Sequence, residues 1–223
     1  MKRLSGIFLV MLIPLVISSC KVNNDDESND PNSLSGDTNV AMGQAGNTGS
    51  FGSVSVGSKY VDIGSSMQVL KNENGVATVK ITADLSKDPA LAAINNWIPS
   101  TVKDSTGKIS TQFKAKITTE GIQTYFLEDK PHTLVKYADN VGAKYSITLG
   151  GNTYTRTVTA KSEQDDYDYG FYKIKTMTVE QTDSRMAGIK KIIYRVNHKY
   201  GIVNITFVAD DGSTASAYMY SLY

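Results

Sequence analysis

The sequence KYSITLGGNTYTRTVTA at residues 144–160 decides the fold, because it holds two alternating segments joined by a tight turn. In the first segment, apolar residues alternate with polar ones, as in a half-buried strand: Tyr145, Ile147 and Leu149. Gly150-Gly151 follows, and glycine tolerates the positive backbone angles of a hairpin turn. The segment 153–160 then returns as a second strand. We predict a β-hairpin here.

The same alternation recurs on both sides of this hairpin. Before it, residues 77–83 and 113–118 each place apolar side chains on one face and lysine or threonine on the other. After it, four longer runs are separated by turn-forming residues: 171–182, 188–196, 202–209 and 214–222. The mixed alternation in 171–182 predicts a bulge or burial on both faces. In total we predict an all-β fold, an antiparallel β-sandwich or barrel of about nine to ten strands.

One segment predicts a helix instead. Asp88 supplies a capping side chain, Pro89 suits the first helical position, and good helix formers follow up to Trp97. Ile98-Pro99 ends the segment, so the helix is short. We expect Trp97, the only tryptophan, to close one end of the β core, and its alternative role is to stack on a ligand.

The chain begins with a charged, an apolar and a small-residue region. Lys2 and Arg3 precede an apolar run, which ends in Ile17-Ser18-Ser19-Cys20. This order is typical of a secretion signal. The tetrapeptide resembles the lipobox of bacterial lipoproteins, and the resemblance implies that residues 1–19 are a signal peptide and that Cys20 is acylated. The partner of Cys20 would then be the membrane, through a lipid anchor.

The residues after Cys20 resemble a second signal. Asp25, Asp26 and Glu27 form an acidic cluster that resembles the surface-export signal of Bacteroidetes lipoproteins. The resemblance implies an envelope lipoprotein that is anchored in the outer membrane. It leaves open whether the domain faces the cell surface. The alternative is that these acids only keep a linker soluble.

Composition divides the mature chain into a tether and one domain. Residues 20–57 are rich in Asn, Asp, Gly and Ser, and their few apolar residues are out of phase, so we expect a flexible tether. Residues 58–223 have the size of one domain. The precursor has a net charge of +1, and this is too mild for the basic surface that nucleic-acid binding requires.

Few residues suggest chemistry. The sequence contains none of the common hydrolase, zinc-protease, P-loop or dinucleotide motifs, so we expect neither an enzyme nor a cofactor. Asp166 and Asp168, followed by Gly170, weakly resemble a calcium loop, although a third ligand in register is missing. A hydrolase built on carboxylates such as Glu163 and Asp165 is a less favoured alternative. Of the two histidines, His198 lies in a turn, where we expect it to satisfy backbone groups.

Tyrosine is the most suggestive residue type. The chain has 13 tyrosines, and three of them follow the acidic run: Tyr167, Tyr169 and Tyr172. Exposed tyrosines can stack on sugars or line a protein contact, and with Trp97 these are our candidate ligand-binding residues. We therefore expect a lipid-anchored, non-catalytic binding module of the cell envelope for a glycan, a protein or another extracellular ligand. The alternative is a carrier of an apolar small molecule inside a barrel, by analogy with lipocalin-like folds.

Overall fold

Strands make up most of the computed structural model, which describes residues 30–125, 129–182 and 186–221. These residues form fifteen strands and one α-helix, α1 (Ala92–Trp97). The strands are β1 (Thr48–Val56), β2 (Lys59–Val61), β3 (Ser66–Glu73), β4 (Val76–Asp84), β5 (Lys108–Ile117), β6 (Gly121–Thr124), β7 (His132–Lys136), β8 (Lys144–Leu149), β9 (Asn152–Lys161), β10 (Tyr167–Tyr169), β11 (Tyr172–Ile174), β12 (Met177–Gln181), β13 (Ile189–Asn197), β14 (Gly201–Ala209) and β15 (Thr214–Ser221). The predicted all-β antiparallel fold is confirmed, but the count of nine to ten strands was too low. Several strands have only three or four residues, too few to show a clear alternation.

The sheet is a meander that almost closes on itself as a barrel. Thirteen strands form one antiparallel sheet in the order β7-β6-β5-β4-β3-β1-β15-β14-β13-β12-β9-β8, with β2 paired to β1. Most neighbours in the sheet are also neighbours in the chain. The exception that matters most is the pairing of β1 with β15, which joins the first of the described strands to the last. The remaining gap lies between β7 and β8, which are adjacent without a ladder of their own.

A buried asparagine, Asn32, helps to bridge the gap between β7 and β8, which we call the seam. The side-chain amide of Asn32 donates to the Ser146 carbonyl on β8 at 2.7 Å. Its Oδ1 accepts from the Thr133 N–H on β7 at 2.9 Å. Asn32 thereby replaces, with one side chain, bonds that a direct strand pair would make, and it is itself buried.

The expected flexible tether is wrong for the segment that contains β1. Val54 lies opposite Ala217 of β15 and is buried in the core, and Leu34 is buried as well. The register of β1 against β15 shifts between Phe51 and Val54, which marks a bulge. Because the bulge puts residues three apart on the same side, the apolar residues look out of phase in the sequence. The part of the tether before residue 30 lies outside the described residues.

The predicted long strand 171–182 is interrupted for a similar reason. Residues 172–174 form β11, which pairs with β10 in a separate two-stranded sheet. Met177 then begins β12, which lies in the main sheet between β9 and β13. The mixed alternation therefore reflects a strand that leaves one sheet and enters another.

Two of the four apolar clusters in the described residues meet at the end residue of α1. Trp97 is half-buried and packs against both clusters, one around Val179 and Val196 and the other around Leu91 and Ile94.

Candidate ligand-binding cavity

A cavity of about 310 Å³ lies on the inner face of the sheet, beside the two residues that follow α1. Its rim includes the exposed Pro99, and its inner part reaches residues with almost no exposure to solvent, such as Leu149. Most of its wall is apolar or aromatic. The lining residues are Ile98, Pro99, Thr124, Lys130, His132, Leu149, Tyr154, Arg156, Gln181, Met186, Ile192, Tyr194, Ile205 and Phe207.

The alternation of β9 explains which side chains enter the cavity. The outward positions of this strand are all threonine: Thr153, Thr155, Thr157 and Thr159. The inward positions are Tyr154, Arg156 and Val158, and all three are buried. Arg156 therefore occupies a core position of the strand, between an aromatic and an aliphatic side chain.

Three hydrogen bonds hold the Arg156 guanidinium in place. Its Nε donates to Gln181 Oε1 at 2.9 Å, and its Nη1 donates to Thr124 Oγ1 at 3.0 Å and to the His132 carbonyl at 2.9 Å. The Tyr194 ring lies 5.6 Å from the guanidinium carbon. Burial lowers the pKa of Arg156, but from a value so high that arginine keeps its charge.

His132 is buried beside this guanidinium and is neutral. Burial, and then the charge of Arg156, lower the pKa of His132 to about 4. Its Nε2 lies 3.0 Å from the carbonyl oxygen of Tyr145. Because a carbonyl only accepts, Nε2 carries the hydrogen, and the bond ties β7 to β8 across the seam.

A smaller cavity of about 80 Å³ lies in another part of the sheet's interior. Thr124 lines both cavities, so the two are neighbours. The wall of the smaller cavity is largely aliphatic and aromatic, with Val79, Phe113 and Met219 among its members. The interior therefore offers apolar space on both sides of the polar group around Arg156.

The three predicted tyrosines lie together on the outside of the sheet. Tyr167 and Tyr169 belong to β10 and Tyr172 to β11, and Tyr169 is buried against Tyr220 of β15, with ring centres 5.3 Å apart. The Arg195 guanidinium lies 4.9 Å from the centre of the Tyr167 ring. Burial raises the pKa of Tyr167 to about 12. Two of the three rings are thus packed against the protein itself.

An exposed aromatic surface is formed by one tyrosine that we predicted and by a phenylalanine that we did not. Phe171 is fully exposed at the tip of the β10–β11 hairpin, and Tyr172 beside it is half exposed. We call Phe171 and Tyr172 the aromatic tip. Sequence reasoning found Tyr172 but missed Phe171, because a phenylalanine at the start of an apparent strand is usually buried.

The predicted calcium ligands have partners of their own. Asp166 Oδ2 accepts from the Ser162 hydroxyl at 2.7 Å, and Asp168 lies 3.5 Å from the ammonium of Lys173. In residues 30–125, 129–182 and 186–221, no three side chains of the metal-binding types converge. The calcium hypothesis therefore finds no third ligand in this part of the chain.

The other predicted residues are separated from the tyrosines. Trp97 packs in two apolar clusters that contain none of the three tyrosines. In the β13–β14 turn, the side chain that satisfies the backbone is Asn197, which accepts from the N–H groups of Lys199 and Tyr200. His198 is exposed. Cys20 and the signal lie outside the described residues.

Sequence reasoning missed the polar group inside the cavity. The available signal was Arg156, a charged residue in the inward phase of a strand whose other face is threonine. His132 and Gln181 had no such signal, because distant strands bring them to Arg156.

In the described part of the chain, no helix is long and apolar enough to cross a membrane.

Comparison with known proteins identifies no relative of this chain. No protein-family model matches it, and neither a curated protein nor a solved structure is significantly similar to it.

Proposed function

We propose that the protein is a non-catalytic binding protein that holds a mostly apolar small molecule in the 310 Å³ cavity. The cavity itself is the observation that supports this function. Protein interiors are normally packed with few voids larger than a water molecule, whereas ligand sites begin at about 300 Å³ and are mostly apolar with a few placed polar groups. The wall around Arg156 has this composition.

The place of action is part of the proposal and derives from the sequence. A lipid anchor at Cys20 would hold the domain at the outer membrane, where a carrier could receive or store an apolar molecule from the envelope. The cavity supports the binding of a ligand, and the lipobox-like sequence supports the location at the outer membrane.

The test is the binding of Nile red, a neutral dye whose emission rises in apolar surroundings. Ile192 lines the cavity, and Ile193 is its neighbour in β13 on the opposite face of the sheet. We expect the wild-type protein and Ile193→Trp to bind the dye. We expect Ile192→Trp to weaken binding at least tenfold, because the indole occupies the space of the ligand.

Circular dichroism checks that both variants fold. A folded wild-type protein that leaves the dye emission unchanged would contradict the proposal. Equal binding by the two tryptophan variants would also contradict it, because the dye would then lie outside the cavity.

A second candidate function is supported by the aromatic tip. A fully exposed phenylalanine next to a half-exposed tyrosine is a surface that could contact a glycan or a protein. We expect the double variant Phe171→Ser, Tyr172→Ser to lose any glycan or envelope-protein ligand found in a binding screen. Val141→Ser, which changes another exposed apolar residue, should retain it. Retention by the double variant would exclude the tip as the binding surface.

A further inference from the structure

The charge of Arg156 is the feature of the cavity that most needs an explanation. The residue is 3% exposed, and its three hydrogen bonds go to uncharged acceptors. None of the ion pairs in the described part of the chain includes it. An isolated buried charge costs several kcal/mol, so such groups are normally paired.

The neighbours of Arg156 do not neutralise it. None of the described residues that line the cavity is acidic. His132 is neutral at pH 7. Its backbone carbonyl, which accepts a hydrogen bond from Arg156, is a dipole and carries no full charge. Gln181, Thr124 and the His132 carbonyl take the hydrogens of Nε and Nη1, so those of Nη2 remain, and the Tyr194 side chain is the further polar neighbour of the guanidinium.

The size of the cavity limits the rest of the ligand. An apolar cavity of ~150 Å³ holds one benzene, and the 310 Å³ here is about twice that volume, enough for roughly twelve non-hydrogen atoms. The exposed members of the wall are Pro99 and Lys130, and most of the other lining residues are apolar or aromatic. A straight chain of about ten carbons with one small head group has this size and polarity.

We propose that the ligand is an anionic amphiphile, a carboxylic acid with one apolar chain, whose carboxylate pairs with Arg156. The inference rests on the proposed function of the cavity. The head group lies inward at the guanidinium, and the chain extends toward the rim. A carboxylate suits this site better than a phosphate, because its single charge matches the one cation and a phosphate would bury further oxygens without donors.

The test compares decanoate with 1-decanol by isothermal titration calorimetry. The two ligands have the same chain and differ in the head group. We expect the wild-type protein to bind decanoate at least tenfold more tightly, because a charge-assisted hydrogen bond is about twice as strong as a neutral one. Arg156→Met should remove this preference. Arg195→Met, a matched change at the outer face beside Tyr167, should retain it.

A second measurement needs no variant, so it is independent of whether Arg156→Met folds. The carboxyl carbon of 13C-labelled decanoate is followed by NMR during acidification. We expect the bound ligand to stay ionised at least one pH unit below the free acid, because the adjacent cation favours the carboxylate.

The outcomes separate this inference from the proposed function. Equal affinity for acid and alcohol, or an unchanged preference in Arg156→Met, would overturn the role of Arg156 while leaving the cavity a binding site. Failure of both ligands and of Nile red to bind the folded protein would overturn the proposed function itself.

Discussion

Buried His132 makes the stability of the fold depend on pH. Its pKa is about 4 in the folded protein, against 6.5 in an unfolded chain. Between these values the unfolded chain binds more protons, so the free energy of unfolding falls as the pH falls. The difference of 2.5 pKa units corresponds to a loss of about 3 kcal/mol, complete near pH 4, of which about 2 kcal/mol is lost by pH 5. Above pH 6.5 this contribution is fully present.

The assay is urea denaturation of the wild-type protein and of His132→Gln at pH 7, 6, 5 and 4. Glutamine keeps an N–H donor for the Tyr145 carbonyl but does not titrate. Surface carboxylates whose pKa values are lowered by hydrogen bonds, such as Asp84 and Asp104, also destabilise the fold on acidification. Their effect is the same in both proteins and cancels in the difference.

The difference between the two curves therefore isolates His132. We expect wild type to lose about 3 kcal/mol more than His132→Gln between pH 7 and pH 4. The control is His198→Gln, which removes the exposed histidine and should follow the wild-type curve. Parallel curves for wild type and His132→Gln would refute the reasoning, because His132 would then not be held neutral by burial and by Arg156.

Two further predictions concern the closure of the sheet. Asn32→Ala should lower the free energy of unfolding by about 2–4 kcal/mol, because it leaves the Thr133 N–H and the Ser146 carbonyl without partners at the seam. Urea denaturation measures this loss. The control is Asn39→Ala at an exposed position, which should change the free energy of unfolding by less than about 0.5 kcal/mol. Equal effects of the two substitutions would show that the seam does not need the Asn32 bridge. Gly121→Ala would place its Cβ 2.2 Å from the Val135 carbonyl oxygen, so thermal unfolding should reveal a loss of about 3 kcal/mol or more. The control is Gly43→Ala, whose added Cβ would lie 3.5 Å from its nearest atom, so this variant should unfold close to the wild-type temperature. A similar result for both glycine variants would contradict the close approach of β6 and β7.

Local patterns predicted the strands well where the alternation is regular. Residues 144–160 form the hairpin of β8 and β9, with Tyr145 paired to Arg156 and Leu149 to Asn152. Period-2 alternation arises from the geometry of a single strand, so it can be read without knowledge of the partner strand. The short helix before Ile98 was also predicted from local signals, although Asp88 and Pro89 start a 3-10 turn, Pro89–Leu91, that leads into α1.

Patterns failed where a strand departs from regular geometry. The bulge between Phe51 and Val54 hid β1, and the passage from β11 to β12 looked like one strand. Both features depend on pairing with strands far away in the chain. The low apolar content of the N-terminal segment suggested a tether, but a long strand partner, β15, is enough to order it.

The sequence by itself determined the all-β class, the antiparallel hairpin at residues 144–160 and the short helix, because each follows from the chemistry of neighbouring residues. Only the tertiary structure decided how the sheet closes and what its interior contains. The pairing of β1 with β15, the bridge made by Asn32, and the meeting of Arg156 with His132 and Gln181 all join residues from distant parts of the chain. Such contacts depend on strand order and curvature, so no local pattern records them.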